Sequence, residues 1–155
     1  MKINYAIIPL ITIVVSVTGN LFTNSGLNIW YKTLNLPDFT PPGSLIGLVW
    51  TIIFILTTLS ALIVWNRANR AKSFGIIVAV FLINAALNVL WSYLFFNQQM
   101  ILTAFWDAVA LGVSVLVLII LIWPASRLAS LLLVPYVLWV SFASYLTYTI
   151  WTLNM

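Results

Sequence analysis

The side chains able to do chemistry in this chain are few, and most of them are aromatic rings or amides. There are eight Trp, six Tyr and nine Phe, only two carboxylates (Asp38 and Asp107), and no His, Cys or Glu. A zinc site needs Cys, His or clustered carboxylates, so no metal ligands are expected. Ser-His-Asp and Cys-His nucleophile systems fall for the same reason. What remains is stacking on flat aromatic surfaces and hydrogen bonding by amides.

Helical spacing gathers those groups. Asn84, Asn88 and Trp91 fall at i, i+4 and i+7, on one face of a helix. Tyr136, Trp139 and Ala143 share a face of another, and Trp50 and Phe54 a face of a third. An amide turned to lipid is penalised, so Asn84 and Asn88 should point into a bundle. They either hydrogen-bond between helices alone or orient a ligand in a cavity walled by aromatics. Asp107 is the only ionisable side chain within an apolar run, which makes it a functional candidate. The competing reading is a brace between helices. Without a second acid, base or relay partner it is weak ground for proton transport.

The elements that must position these residues follow from composition. The 155 residues are 64% hydrophobic and 5% charged, far from the quarter charged of soluble domains. Mean hydropathy is +1.16. Five apolar runs, at about residues 3–22, 43–65, 74–96, 101–123 and 128–153, are each long enough to cross a bilayer core of about 30 Å. The fold class is therefore an all-α membrane protein, a five-helix transmembrane bundle forming a single domain. Pro9 is expected to kink the first helix and Pro135 to bend the last. The first run resembles a signal peptide at its start but lacks a small-x-small cleavage site, so it reads as a retained helix. Residues 23–42 form the only long connection. Pro37, Pro41 and Pro42 argue against a regular helix there, while Trp30, Tyr31 and Phe39 argue against a solvated linker. A structured loop folded over the helix ends reconciles the two.

With five spans, Lys2, Arg67, Arg70, Lys72 and Arg127 share one face, and the other has only Lys32, offset by Asp38. The positive-inside rule then puts the N-terminus in the cytoplasm and the first loop outside. The net charge of +4 is spent on this topology signal; it forms no basic stripe, so no nucleic-acid partner is expected. Trp30, Trp65, Trp123 and Trp151 lie near span ends, as interfacial anchors do, whereas Trp50, Trp91, Trp106 and Trp139 lie deeper. Gly75-x3-Ala79 and Ala104-x3-Ala108-x3-Gly112 permit close helix approach, within the bundle or in a dimer.

Several of these stretches together resemble one family. They are Trp30-Tyr31-x5-Pro37-x-Phe39-x-Pro41-Pro42 with Val49-Trp50, then Ala86-Leu87-Asn88-x2-Trp91-Ser92, Phe105-Trp106-Asp107, and Pro135-Tyr136-x2-Trp139-x3-Ala143-x-Tyr145. In this order, over nearly the whole chain, they are similar to the TspO/translocator protein family of tryptophan-rich sensory proteins and peripheral benzodiazepine receptors. The resemblance implies a five-helix bundle, often a homodimer, with a pocket in the half nearest the first loop. It implies binding of protoporphyrin IX, haem or benzodiazepine-type ligands, with no further cofactor. Tyr31, Trp50, Phe54, Asn84, Asn88, Trp91, Trp139 and Ala143 would line the pocket, with Tyr136 on the same face as Trp139, and Pro41 and Pro42 would shape its lid. Some bacterial members are associated with light-dependent porphyrin breakdown, for which Trp30 or Trp139 would share electron transfer with the excited ring.

Two features refine that expectation. No Lys or Arg follows Arg127, so Tyr145 and Tyr148 cannot complete the sterol-recognition pattern of mammalian members. This ranks tetrapyrroles above sterols and suggests a bacterial-type member in a bacterial cell membrane. The usual strong axial ligands of haem are also missing, so stacking and shape must hold the ring, with Lys32 or loop amides available to its propionates. The rival functions are a transporter of apolar molecules, for which no internal repeat is visible, and a structural subunit, which leaves the aromatic loop unexplained.

Overall fold

The computed structural model of the chain describes residues 3–67 and 73–155. Lys2, Arg70 and Lys72, three of the five charges behind the expected orientation, lie outside the described residues. Every regular element described is helical: α1 (Asn4–Leu27), α2 (Gly43–Arg67), α3 (Phe74–Ser92), α4 (Ile101–Ile122), α5 (Arg127–Leu131) and α6 (Val134–Leu153). With α5 and α6 counted as one span, five helices are long and apolar enough to cross a membrane.

α4 is the axis of the bundle. Ala104, Asp107, Ala108, Leu111, Ser114, Val115, Leu118 and Ile122 are all buried and recur every three or four residues, so one stripe of the helix packs inward. Ala104 and Ala108 lie on that stripe, and a methyl on Gly112 would touch Val140 at 3.4 Å. The small residues of α4 therefore serve packing within the chain. Those of α3 do not: Gly75 and Ala79 are exposed, with open space beside Gly75.

Two helix ends depart from the sequence reading, and a third ends where expected but in an unforeseen geometry. α1 runs to Leu27, not to residue 22, and the connection shortens to residues 28–42, with a 3₁₀ turn at Tyr31–Thr33. Hydropathy falls at Thr23-Asn24-Ser25, yet Thr23 and Ser25 bond back to carbonyls of Gly19 and Phe22, and Gly26 lies against the Phe96 backbone. Packing, not hydropathy, carries the helix on. The third span ends in a π turn, Tyr93–Asn97, closed by Gln98 N–H donating to the Tyr93 carbonyl at 2.9 Å. Gln99, with φ of 58°, then turns the chain into α4. Finally, Pro135 does not bend a continuous helix. The break falls at residues 132–133, and Pro135 sits in the first turn of α6, where its missing N–H costs nothing. Pro9, by contrast, lies inside α1.

Candidate functional site: an aromatic cavity under the first loop

A cavity of about 820 Å³ lies in the half of the bundle nearest the first loop, between α1, α2, α3, α4 and α6. The π turn makes its inner corner. Trp91 stacks on Phe95 one turn on, at 5.1 Å and 13°, and Phe95 meets Phe96 edge to face at 4.9 Å. The wider turn brings Phe95 and Phe96 round together, so both rings are buried. Trp50 and Phe54 form the α2 wall, and Trp139 and Phe142 the α6 wall, with ring centroids 5.7 and 5.4 Å apart respectively.

The loop roofs this space from three attachments. Tyr31 leans on Phe95 and Phe96 at 6.2 and 5.7 Å. Phe39 stacks on Tyr145 at 5.5 Å and 16°. Asn35 is clasped by Asn154 at the end of α6. Burial raises the pKa of the Tyr31 hydroxyl, so the group stays neutral across the physiological range.

Of the residues singled out from sequence, Tyr31, Trp50, Phe54, Asn88, Trp91, Trp139, Ala143 and Pro41 line this cavity. Four others stand elsewhere. Asn84 and Tyr136 lie behind Asn88 in a buried relay: Asn88 Nδ2 donates to the Tyr136 hydroxyl at 3.1 Å, that hydroxyl donates to Asn84 Oδ1 at 3.2 Å, and Asn84 Nδ2 donates to Ser114 Oγ at 2.8 Å. The relay ties α3, α4 and α6 together. Trp30 packs edge to face on Phe95 at 5.4 Å, one ring behind the wall. Pro42 is exposed and starts α2, its carbonyl accepting from the N–H groups of Leu45 and Ile46.

The wall also contains residues that sequence reasoning passed over. Phe95 lies four residues after Trp91 and Phe142 three after Trp139, spacings that marked both in advance. On α1, Ser16, Asn20, Thr23 and Asn24 form a polar stripe along one side of the cavity. The periodicity of Ser16, Asn20 and Asn24 was visible, but this helix read as an apolar span. Phe96 carried no such signal, because only the π turn brings it round.

Two wall residues carry a donor that has no partner among the described residues. The indole N–H groups of Trp91 and Trp139 are buried without a hydrogen-bond acceptor. Asp107 is buried with its Oδ2 likewise unpaired, but it lies outside the cavity lining. Lys32, on the 3₁₀ turn, is exposed and does not reach the lining either. Among the described residues, the cavity is thus an aromatic box with an amide and hydroxyl rail along α1 and no charged side chain in its wall.

The same arrangement of motifs is matched by a model of the TspO/MBR family over residues 7–152. The chain belongs to the TspO/MBR family. It is 42% identical over 128 residues to the uncharacterized membrane protein YtaB of Bacillus subtilis, covering 81% of each chain. It is 37% identical over 149 residues to the tryptophan-rich protein TspO of Archaeoglobus fulgidus, covering 94% of this chain and 93% of the relative. Similarity extends to the human translocator protein, at 25% over 137 residues, 88% of this chain and 81% of the other. Membership and five spanning helices make this TspO/MBR chain an integral membrane protein.

Proposed function

We propose that the protein is a membrane receptor or sensor that binds a tetrapyrrole, protoporphyrin IX or haem, in the cavity under the first loop. The observation that carries this reading is a volume of about 820 Å³ walled by Trp50, Trp91 and Trp139. Pockets for ligands of this class span roughly 300–1,000 Å³. Each good ring–ring contact adds about 0.5–1.5 kcal/mol beyond area burial. Asn20 and Asn24, on the α1 rail, are better placed than Lys32 to receive the propionates. With neither His nor Cys in the chain, metal-free porphyrin should bind about as tightly as haem.

Benzodiazepine-type ligands would compete for the same walls. Light-dependent breakdown would begin with electron transfer between the excited ring and Trp139, which lines the cavity; Trp30 is screened by Phe95. The exposed Gly75 and Ala79 suit the interface of a homodimer. A bacterial cell membrane is the proposed location.

The test is a titration with protoporphyrin IX of detergent-solubilised protein, following tryptophan quenching and the porphyrin absorption band together. Saturable stoichiometric binding, weakened at least tenfold in folded Trp139→Ala and Asn88→Ala variants, is expected. Uptake that never saturates and ignores both substitutions would overturn the reading, and flux into sealed vesicles would then decide for a transporter.

A further inference from the structure

A second cavity, of about 120 Å³, occupies the opposite half of the bundle between α1, α2 and α3. We propose that it holds one acyl chain of a bilayer phospholipid, entering sideways from the membrane.

Shape is the first argument. The α2 wall runs from Phe54 to Trp65, about 16 Å at 1.5 Å per residue. So small a volume spread along that length is a slot one chain wide. At its base Trp65 meets Phe74 edge to face at 5.2 Å, closing α2 against α3.

Chemistry is the second. Among the described residues, no charged side chain lines the slot. The polar groups at its inner end, Asn84, Asn88 and Tyr136, are already engaged in the relay described above. A buried water needs two to four polar partners, and the aliphatic stretch supplies too few. A hydrocarbon chain asks for none.

The mouth and the charge settle which hydrocarbon. Thr12 and Thr58 share a hydrogen bond of 2.9 Å that pins α1 to α2. Toward α3 the slot is bordered by Ile11 and Leu82, which are 39% and 53% exposed. Its access is therefore through hydrocarbon, not through water. Arg67 ends α2 two residues beyond Trp65, at the slot's base, where a lipid phosphate at the interface would meet a cation. A bilayer phospholipid meets all three conditions. Phe54 and Asn88 belong to the walls of both cavities, so a chain in the slot would lie against the back of the larger site.

The experiment uses the full chain in phosphatidylcholine vesicles doped with a phosphatidylglycerol whose acyl chain carries a mid-chain diazirine. After photolysis, labelled residues are mapped by mass spectrometry. Labels are expected on Val64, Asn84 or Tyr136, which are only 2–4% exposed and out of reach of surrounding lipid. Filling the slot with Ala61→Phe or Ala85→Leu should cut these inward labels at least tenfold, leaving those on exposed Leu48 and Ile83 unchanged. Wild-type labels confined to exposed residues would overturn the proposal, even if neither filling variant folds. So would inward labels that persist in a filled variant with native elution and melting behaviour.

Discussion

Asn154, just past the end of α6, holds the backbone of Asn35 from both sides: its Oδ1 accepts from the Asn35 N–H at 2.9 Å and its Nδ2 donates to the Asn35 carbonyl at 2.9 Å. One side chain thus imitates a strand partner and fastens the first loop to the last helix, 119 residues away.

Breaking that clasp should free the loop without unfolding the bundle. The two hydrogen bonds to the loop, at about 0.5–1.5 kcal/mol each, would be lost in Asn154→Ala. Lys32 sits in the loop and reports on it, since trypsin cleaves after lysine and cleavage tracks local opening. Cleavage there is expected to quicken about 5- to 150-fold, the range those energies imply. An unchanged rate would show that Tyr31 and Phe39 hold the loop unaided.

The relay through Tyr136 should separate stability from binding. Tyr136→Phe leaves Asn84 Oδ1 and Asn88 Nδ2 buried and unpaired, and is expected to cost about 1–2 kcal/mol. Thermal unfolding in detergent reads this directly. Asn84→Ala should destabilise comparably while leaving porphyrin affinity within about threefold, because Asn84 is outside the larger cavity. A large loss of affinity in folded Asn84→Ala would place that amide in the site after all.

Gly26 should not accept a side chain. Its missing methyl leaves room for the Phe96 backbone, and a Cβ there would overlap the Phe96 carbonyl. Gly26→Ala must push α1 off the π turn, at an expected cost of about 1–3 kcal/mol typical of overpacking. Gly19→Ala is the control, since its methyl would meet Ser92 Oγ at an ordinary 3.6 Å. Equal melting temperatures for the two variants would show that the close approach is not constraining.

Orientation can be read from single cysteines, because the chain has none of its own. Ile29→Cys, at a position 79% exposed in the loop, is expected to react with an impermeant maleimide on intact cells. Ala125→Cys, in the exposed turn before α5, should react only after permeabilisation. The reverse pattern would invert the topology derived from charge bias.

Much of this was legible in the residues themselves. Five spans follow from run length against bilayer thickness, a constraint each helix meets alone. Periodicity alone placed Asn88 beside Trp91, and Trp139 beside Ala143, because neighbours on one helix need no knowledge of the rest. The limits appear where a face must choose its neighbour. Asn84 and Tyr136 share faces with cavity residues, yet turn their polar atoms toward each other, which only the packing of α3 against α6 decides. Within Phe105-Trp106-Asp107, Trp106 is 62% exposed while Asp107 is buried, a choice made by the stripe of α4.

What the sequence by itself determined is the number of spans and the stock of side chains, rich in aromatics and amides and without His, Cys or Glu. Composition and local spacing suffice for these, since each is a property of single segments in an apolar solvent. Tertiary structure alone decided the π turn that swings in Phe96, the reach of α1 to Leu27, the Asn35–Asn154 clasp and the polar rail on the cavity side of α1. Each depends on groups distant in sequence, and its energy exists only once the helices have met.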